Sequence, residues 1–150
     1  MDNSHIYFMQ QAIALAKKGK MTKGSGPFGA VIVKNQHIIA KGHNEVHDKN
    51  DLTQHAELAV IQEACKVLES KDLSECILYT SCEPCMMCLG ASYWAGFEAI
   101  YFGASAEDAK KHGFIYSNVF YASDNEKRYQ EFNMHQLLRE EAVAVWQQQI

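Results

Sequence analysis

Apolar residues recur at helical spacing near the start of the chain, at Ile6, Met9, Ile13 and Ala16. Ser4 is placed to cap that helix and Gly19 to stop it. The period then changes. Gly19 to Pro27 is a glycine-rich loop, and FGAVIVK followed by HIIAKG reads as two strands joined by a tight turn at Asn35 and Gln36. Beyond Thr53 the helical period returns, with Val60, Ile61, Ala64, Cys65 and Leu68 on one face. CILYTS (Cys76 to Ser81) and FEAIYFGA (Phe97 to Ala104) predict strands, separated by a helix opened by Pro84, and AEDAKKHG predicts a short helix. Toward the C-terminus SNVFYAS has the composition of a fifth strand, and EKRYQEFN shows little periodicity. Met134 to Trp146 reads as a closing helix through Met134, Leu137, Leu138, Ala142, Val145 and Trp146. A hairpin followed by alternating helices and strands predicts an α/β layered domain with a mixed sheet, its later strands parallel.

Composition narrows the picture to one domain, 1–150. With 150 residues and 47% hydrophobic content the chain can bury one real core, and two would be cramped. The net charge is −4, and Arg128 and Arg139 are the only arginines. That leaves no electrostatic footprint for nucleic acid and favours a small neutral substrate. No stretch approaches the roughly 18 apolar residues of a membrane span, and the N-terminal residues lack the pattern of a leader, so a cytoplasmic protein is expected. Five cysteines, Cys65, Cys76, Cys82, Cys85 and Cys88, are an odd number crowded into one region. This suits a reducing compartment and a metal or reactive site better than a disulfide framework. Cys65 and Cys76 read as small core residues.

One residue breaks the amphipathic pattern: Glu57 points to the apolar side of its helix. An inward carboxylate needs a partner or a task, because burying an unpaired charge is costly. Capping the first helical turn is one task; the segment SCEPCMMC offers another. Cys82, Cys85 and Cys88 are each three apart, so two CxxC pairs overlap. With Pro84 in the first turn of a helix, Cys85 and Cys88 fall on one face and Cys82 is left at the strand end. A helix N-terminus also favours the thiolate form that binds metal. Adding His55 gives three protein ligands, the set of a zinc site that keeps a fourth position open for catalysis; a closed site that includes Cys82 is the alternative. Glu57 favours the open site, where a base is needed to take a proton from water. Tyr93, Trp94 and Phe97 read as core around this helix.

HAE at His55 to Glu57 together with PCMMC at Pro84 to Cys88 resembles the zinc signature of the cytidine deaminase superfamily. GPFGAVIVK, Asn44 and CILYTSCEPCMMCLGASYWA extend the likeness, across roughly Gly26 to Gly103, to the bacterial guanine deaminases. Two departures stand out. Ser92 occupies a position usually aliphatic, and Ile115 and Tyr116 stand where the guanine deaminases carry acidic residues. The resemblance implies a three-layer α/β/α fold around a mixed sheet of about five strands, and zinc held by His55, Cys85 and Cys88. It implies Glu57 as the proton shuttle, with Phe28, Asn44 and the backbone at Ala56 contacting substrate. The implied reaction is hydrolytic deamination of a nucleobase or nucleoside, guanine to xanthine and ammonia first. A tRNA adenosine deaminase, or a cytosine or aminotriazine deaminase, is the alternative. The resemblance also implies a homodimer, with the segment from Val143 to Ile150 as the expected contact.

Overall fold

Asn35 and Gln36 adopt φ of 51° and 66°, the left-handed pair of a two-residue hairpin whose twist matches its strands. They join β1 (Gly26–Lys34) to β2 (His37–Asn44) in antiparallel register. The computed structural model describes residues 3–147, in which this hairpin forms one side of a five-stranded sheet. Before it runs α1 (Asn3–Met21); after it come α2 (Val46–Lys49), α3 (Ala56–Leu68), β3 (Cys76–Cys82), α4 (Met86–Ala95) and β4 (Ala99–Ala104). Then follow α5 (Ala106–Lys111), α6 (Asn118–Ala122), α7 (Asn125–Glu131), β5 (Met134–Gln136) and α8 (Arg139–Gln147). The strand order is β2-β1-β3-β4-β5. β1 lies antiparallel to β3, while β3, β4 and β5 run parallel, so the sheet is mixed as the alternation of elements predicts.

Strand alternation sends successive side chains to opposite faces and so makes two cores. Ala30, Ile32, Leu78, Ile100 and Phe102 pack with Ala56, Val60 and Ala64 of α3 and Leu89 of α4. Val31, Val33 and Tyr79 pack with Phe8, Met9 and Ile13 of α1 and Ala142 and Val145 of α8. The result is the three-layer α/β/α arrangement. α1 sits tightly on β1: a Cβ at Gly29 would lie 2.2 Å from the Ala12 carbonyl oxygen, so only glycine permits that approach. No helix among the described residues is long and apolar enough to cross a membrane.

Several expectations need correction. Ser4 and Gly19 lie inside α1 rather than at its ends; Gly19 is needed for close packing, since a Cβ there would meet the Gly26 carbonyl oxygen at 2.2 Å. Pro84 precedes α4, whose N-cap is Cys85. SNVFYAS is a helix, not a strand: Ser117 caps α6 by accepting the Phe120 N–H, and Asp124 caps α7 by accepting from Glu126 and Lys127. Local side-chain capping prevails there over strand composition. The fifth strand is the short β5, and the closing helix starts at Arg139 rather than Met134 because Leu138 takes a φ of 56°. Tyr93 and Trp94 are not core, with 57% and 82% of their surface exposed. Val145 and Trp146 pack within their own chain rather than waiting for a neighbour; Ile150 lies outside the described residues.

Candidate zinc and active site

Parallel strands place their carboxyl ends at one edge of a sheet, and antiparallel β1 brings its amino end to that same edge. Cys82 at the end of β3, Phe28 near the start of β1 and Asn44 at the end of β2 therefore meet. Phe28 lies in a bulge: Gly26 pairs with Asn44, yet Gly29 already pairs with His43. The extra residues at Pro27 and Phe28 re-aim the ring out of the regular alternation.

Two helices begin at this edge, and both start unusually. His55 is the N-cap of α3 and Cys85 the N-cap of α4, and neither spends its side chain on capping. Instead the imidazole and thiol turn toward each other. His55 Nδ1 lies 3.6 Å from Cys85 Sγ and 3.5 Å from Cys88 Sγ. These three are the one cluster among the described residues with His, Cys, Asp or Glu donor atoms all within 4.8 Å of one another. Zinc with Zn–S near 2.3 Å and Zn–N of about 2.0–2.1 Å in tetrahedral geometry sets sulfur-to-nitrogen separations of about 3.6 Å. The side chains fit that ion. Cys82 stands apart from the cluster, its sulfur 3.1 Å from the Tyr116 hydroxyl oxygen.

The electrostatics favour a cation. The hydrogen bond from Cys88, then that from His55, holds the Cys85 thiol down at about 4 despite burial. The Cys85 bond, burial and Glu57 push Cys88 in the opposite direction, toward the protonated thiol. Binding a divalent metal releases such protons. Glu57 is buried, as its inward position predicts. Burial, then the neighbouring Cys85 charge, pushes its carboxyl up to about 7, while its own backbone N–H and the Cys88 thiol act against this. A cation in the cluster would favour the carboxylate.

Phe28, Asn44, His55, Glu57, Cys82, Cys85, Phe114, Ile115 and Tyr116 line a cavity of about 270 Å³. This is near the lower end of ligand pockets, about 300 Å³, and suits a single small molecule. Phe28 meets Phe114 edge-on at 4.9 Å and Trp146 at 5.7 Å, and Trp146 Nε1 donates to the Pro27 carbonyl at 3.0 Å. Asn44 Oδ1 accepts the Val46 N–H at 3.1 Å. Ala56 is not among the lining residues; its methyl belongs to the core and its amide to the first turn of α3. Phe114 and Trp146 were not singled out as site residues by sequence reasoning, because neither carries a motif. Glu83 was missed too, although a glutamate between Cys82 and Pro84 in a buried stretch repeats the signal that exposed Glu57.

An α/β/α sheet with a histidine and two cysteines at its edge, beside a buried glutamate, defines a zinc-dependent hydrolase domain of the deaminase class. Residues 2–104 match the cytidine and deoxycytidylate deaminase zinc-binding region, and the chain belongs to that family. It is 44% identical over 144 residues to the guanine deaminase of Bacillus subtilis, spanning 96% of this chain and 92% of that protein. A crystal structure of guanine deaminase from Bacillus subtilis matches with a TM-score of 0.76 at 50% identity, covering 81% of this chain and 76% of that one. The tRNA-specific adenosine deaminase of Aquifex aeolicus is 45% identical over 111 residues, 74% of this chain and 71% of that protein.

Proposed function

We propose that the chain, as a single domain over 1–150, hydrolyses guanine to xanthine and ammonia with zinc held by His55, Cys85 and Cys88. The observation that carries this reading is the buried Glu57 carboxyl beside that cluster, on the wall of a cavity sized for one base. Bound zinc acidifies water to a pKa of about 7 and so supplies a nucleophile near neutral pH. With zinc bound, Glu57 would take a proton from the attacking water and deliver it to the ring nitrogen beside the amine-bearing carbon, then take the second proton from the hydroxyl added to that carbon and pass it to the departing amine. A single carboxyl suffices because each proton it accepts is passed on. Phe28 walls the flat ring. Asn44, whose Oδ1 is occupied by Val46, offers its amide nitrogen to an acceptor on the base. The start of α3 at Ala56 supplies backbone N–H groups that lack helical partners.

The identity to tRNA-specific adenosine deaminases makes an adenosine in tRNA the second reading. Charge disfavours it. Both arginines are engaged by buried carboxylates, Arg128 with Glu83 at 3.1 Å and Arg139 with Asp108 at 2.6 Å, so neither is at liberty to hold phosphate. The test is kcat/KM for guanine, guanosine, cytosine, isocytosine, ammeline, adenosine and a tRNA anticodon stem-loop. Guanine is expected to lead by at least about 10-fold, since a base that leaves the Asn44 amide and the free N–H groups of α3 unpaired is discriminated against strongly. Deamination of the stem-loop with guanine inert would install the second reading.

The same reading places the protein in the cytoplasm, in purine metabolism and as a homodimer with no nucleic-acid partner. Its reduced thiols suit that compartment. For the dimer, the groove of Ile61, Cys65, Lys71, Ala91 and Ala95 beside Trp94 is a better contact than the C-terminal helix, because Trp94 is exposed there while Val145 and Trp146 pack within their own chain. Light scattering at micromolar concentration should give twice the chain mass, and Trp94→Glu should give the monomer. A wild-type monomer would remove the dimer.

A further inference from the structure

Glu83 is the residue between the end of β3 and the turn that presents Cys85, and its side chain is 1% exposed. Every polar group on it has a partner. Its N–H donates to the Ala104 carbonyl at 2.8 Å, and its own carbonyl accepts the Tyr116 hydroxyl. Carboxylate Oε1 accepts the Ala106 N–H at 2.9 Å and the Tyr129 hydroxyl at 3.0 Å. Oε2 accepts Arg128 Nη2 at 3.1 Å. All five partners come from residue 104 onward, four of them beyond the segment that matches the zinc-binding family.

Arg128 is the hub on the other side. Its guanidinium stacks 4.2 Å over the Phe120 ring and donates to Ser123 and Asn125 as well as to Glu83. It thereby ties α6, the start of α7 and the Cys82–Cys85 turn together. A planar fork of donors can do this; a lysine ammonium cannot reach all of these acceptors at once. Tyr116 closes the circuit, because it lines the cavity, donates to the Glu83 carbonyl and contacts Cys82.

We propose that Glu83 and Arg128 are positioning residues, through which the C-terminal third of the chain holds the Cys85 turn and the Tyr116 wall in register with His55. The inference rests on the zinc reading above. Rigid support of a ligand-bearing segment governs how readily it opens, and losing such support typically costs 10–100-fold in metal affinity or activity.

The test measures zinc release from the loaded full chain into excess EDTA, at a temperature where circular dichroism shows each variant folded. Arg128→Met and Glu83→Gln should release zinc at least about 10-fold faster than wild type. Arg128→Lys should resemble Arg128→Met, since charge alone cannot replace the fork. Arg139→Met, which breaks the Asp108 pair away from the cavity, should lower Tm and leave the release rate unchanged. If Arg128→Met does not fold, the double variant Glu83→Gln/Arg128→Met, which leaves no unpaired buried charge, serves instead. Release at the wild-type rate in the Arg128 and Glu83 variants, with only Tm reduced, overturns the proposal. Faster release in them while wild type leaves guanine untouched keeps the positioning role and discards the substrate.

Discussion

Glu57→Gln is expected to keep its zinc and lose its turnover. Glutamine preserves the shape and a polar tip, so the space beside His55, Cys85 and Cys88 stays filled. It cannot carry a proton. General acid–base groups contribute about 10²–10⁴-fold, and in the proposed reaction Glu57 acts at three successive steps, so kcat should fall by at least about 10²-fold. The environment supports that role: burial and the Cys85 charge push its carboxyl up in the absence of metal, and a cation in the cluster would return it to the carboxylate, the form that accepts a proton from water. Metal content by atomic absorption and ammonia release from guanine check the two halves separately. A rate within a few-fold of wild type, with zinc retained, would reduce Glu57 to the capping role that its contact with its own backbone N–H also allows.

How much was legible in the sequence depended on whether the deciding interaction was local. The hairpin, α3 and β3 were readable because period, turn residues and composition agree in each, and Glu57 stood out because a charge sits on an apolar stripe. The separation of Cys82 from Cys85 and Cys88 followed from where a strand ends and a helix begins. Past Ser105 the sequence pattern weakens. There the chain breaks into three helices of five to seven residues and a three-residue strand, each too short for its period to repeat twice. What organises that region is long-range: Arg128 reaches Glu83 across 45 positions, and Trp146 reaches Pro27 across 119. The exposure of Trp94 was unreadable for a different reason, since an aromatic residue on a helix carries no mark of whether its face meets a sheet or solvent.

The overlapping CxxC pairs give the second large effect. Cys85→Ser should lose most of the bound zinc and with it the activity, whereas Cys82→Ser should retain both the metal and most of the turnover. Serine is nearly isosteric with cysteine, so the two variants differ chiefly in whether the lost sulfur belongs to the cluster. Cys85 Sγ lies 3.6 Å from His55 Nδ1 and is held as thiolate at about 4, the form a metal takes. Cys82 is the reverse: burial pushes its thiol well above the ordinary value, and its neighbour is the Tyr116 hydroxyl. A hydroxyl at position 82 can still bond to Tyr116, so the cost there is about 1 kcal/mol of stability and a modest rise in KM from an altered cavity wall. Because bound metal stabilises the folded chain by mass action, by about 4 kcal/mol at a thousand-fold excess over its dissociation constant, added zinc should raise Tm in wild type and Cys82→Ser but not in Cys85→Ser. Zinc held by Cys85→Ser and lost by Cys82→Ser would mean that the Cys82–Cys85 turn rearranges around the ion and that the metal takes the other pair.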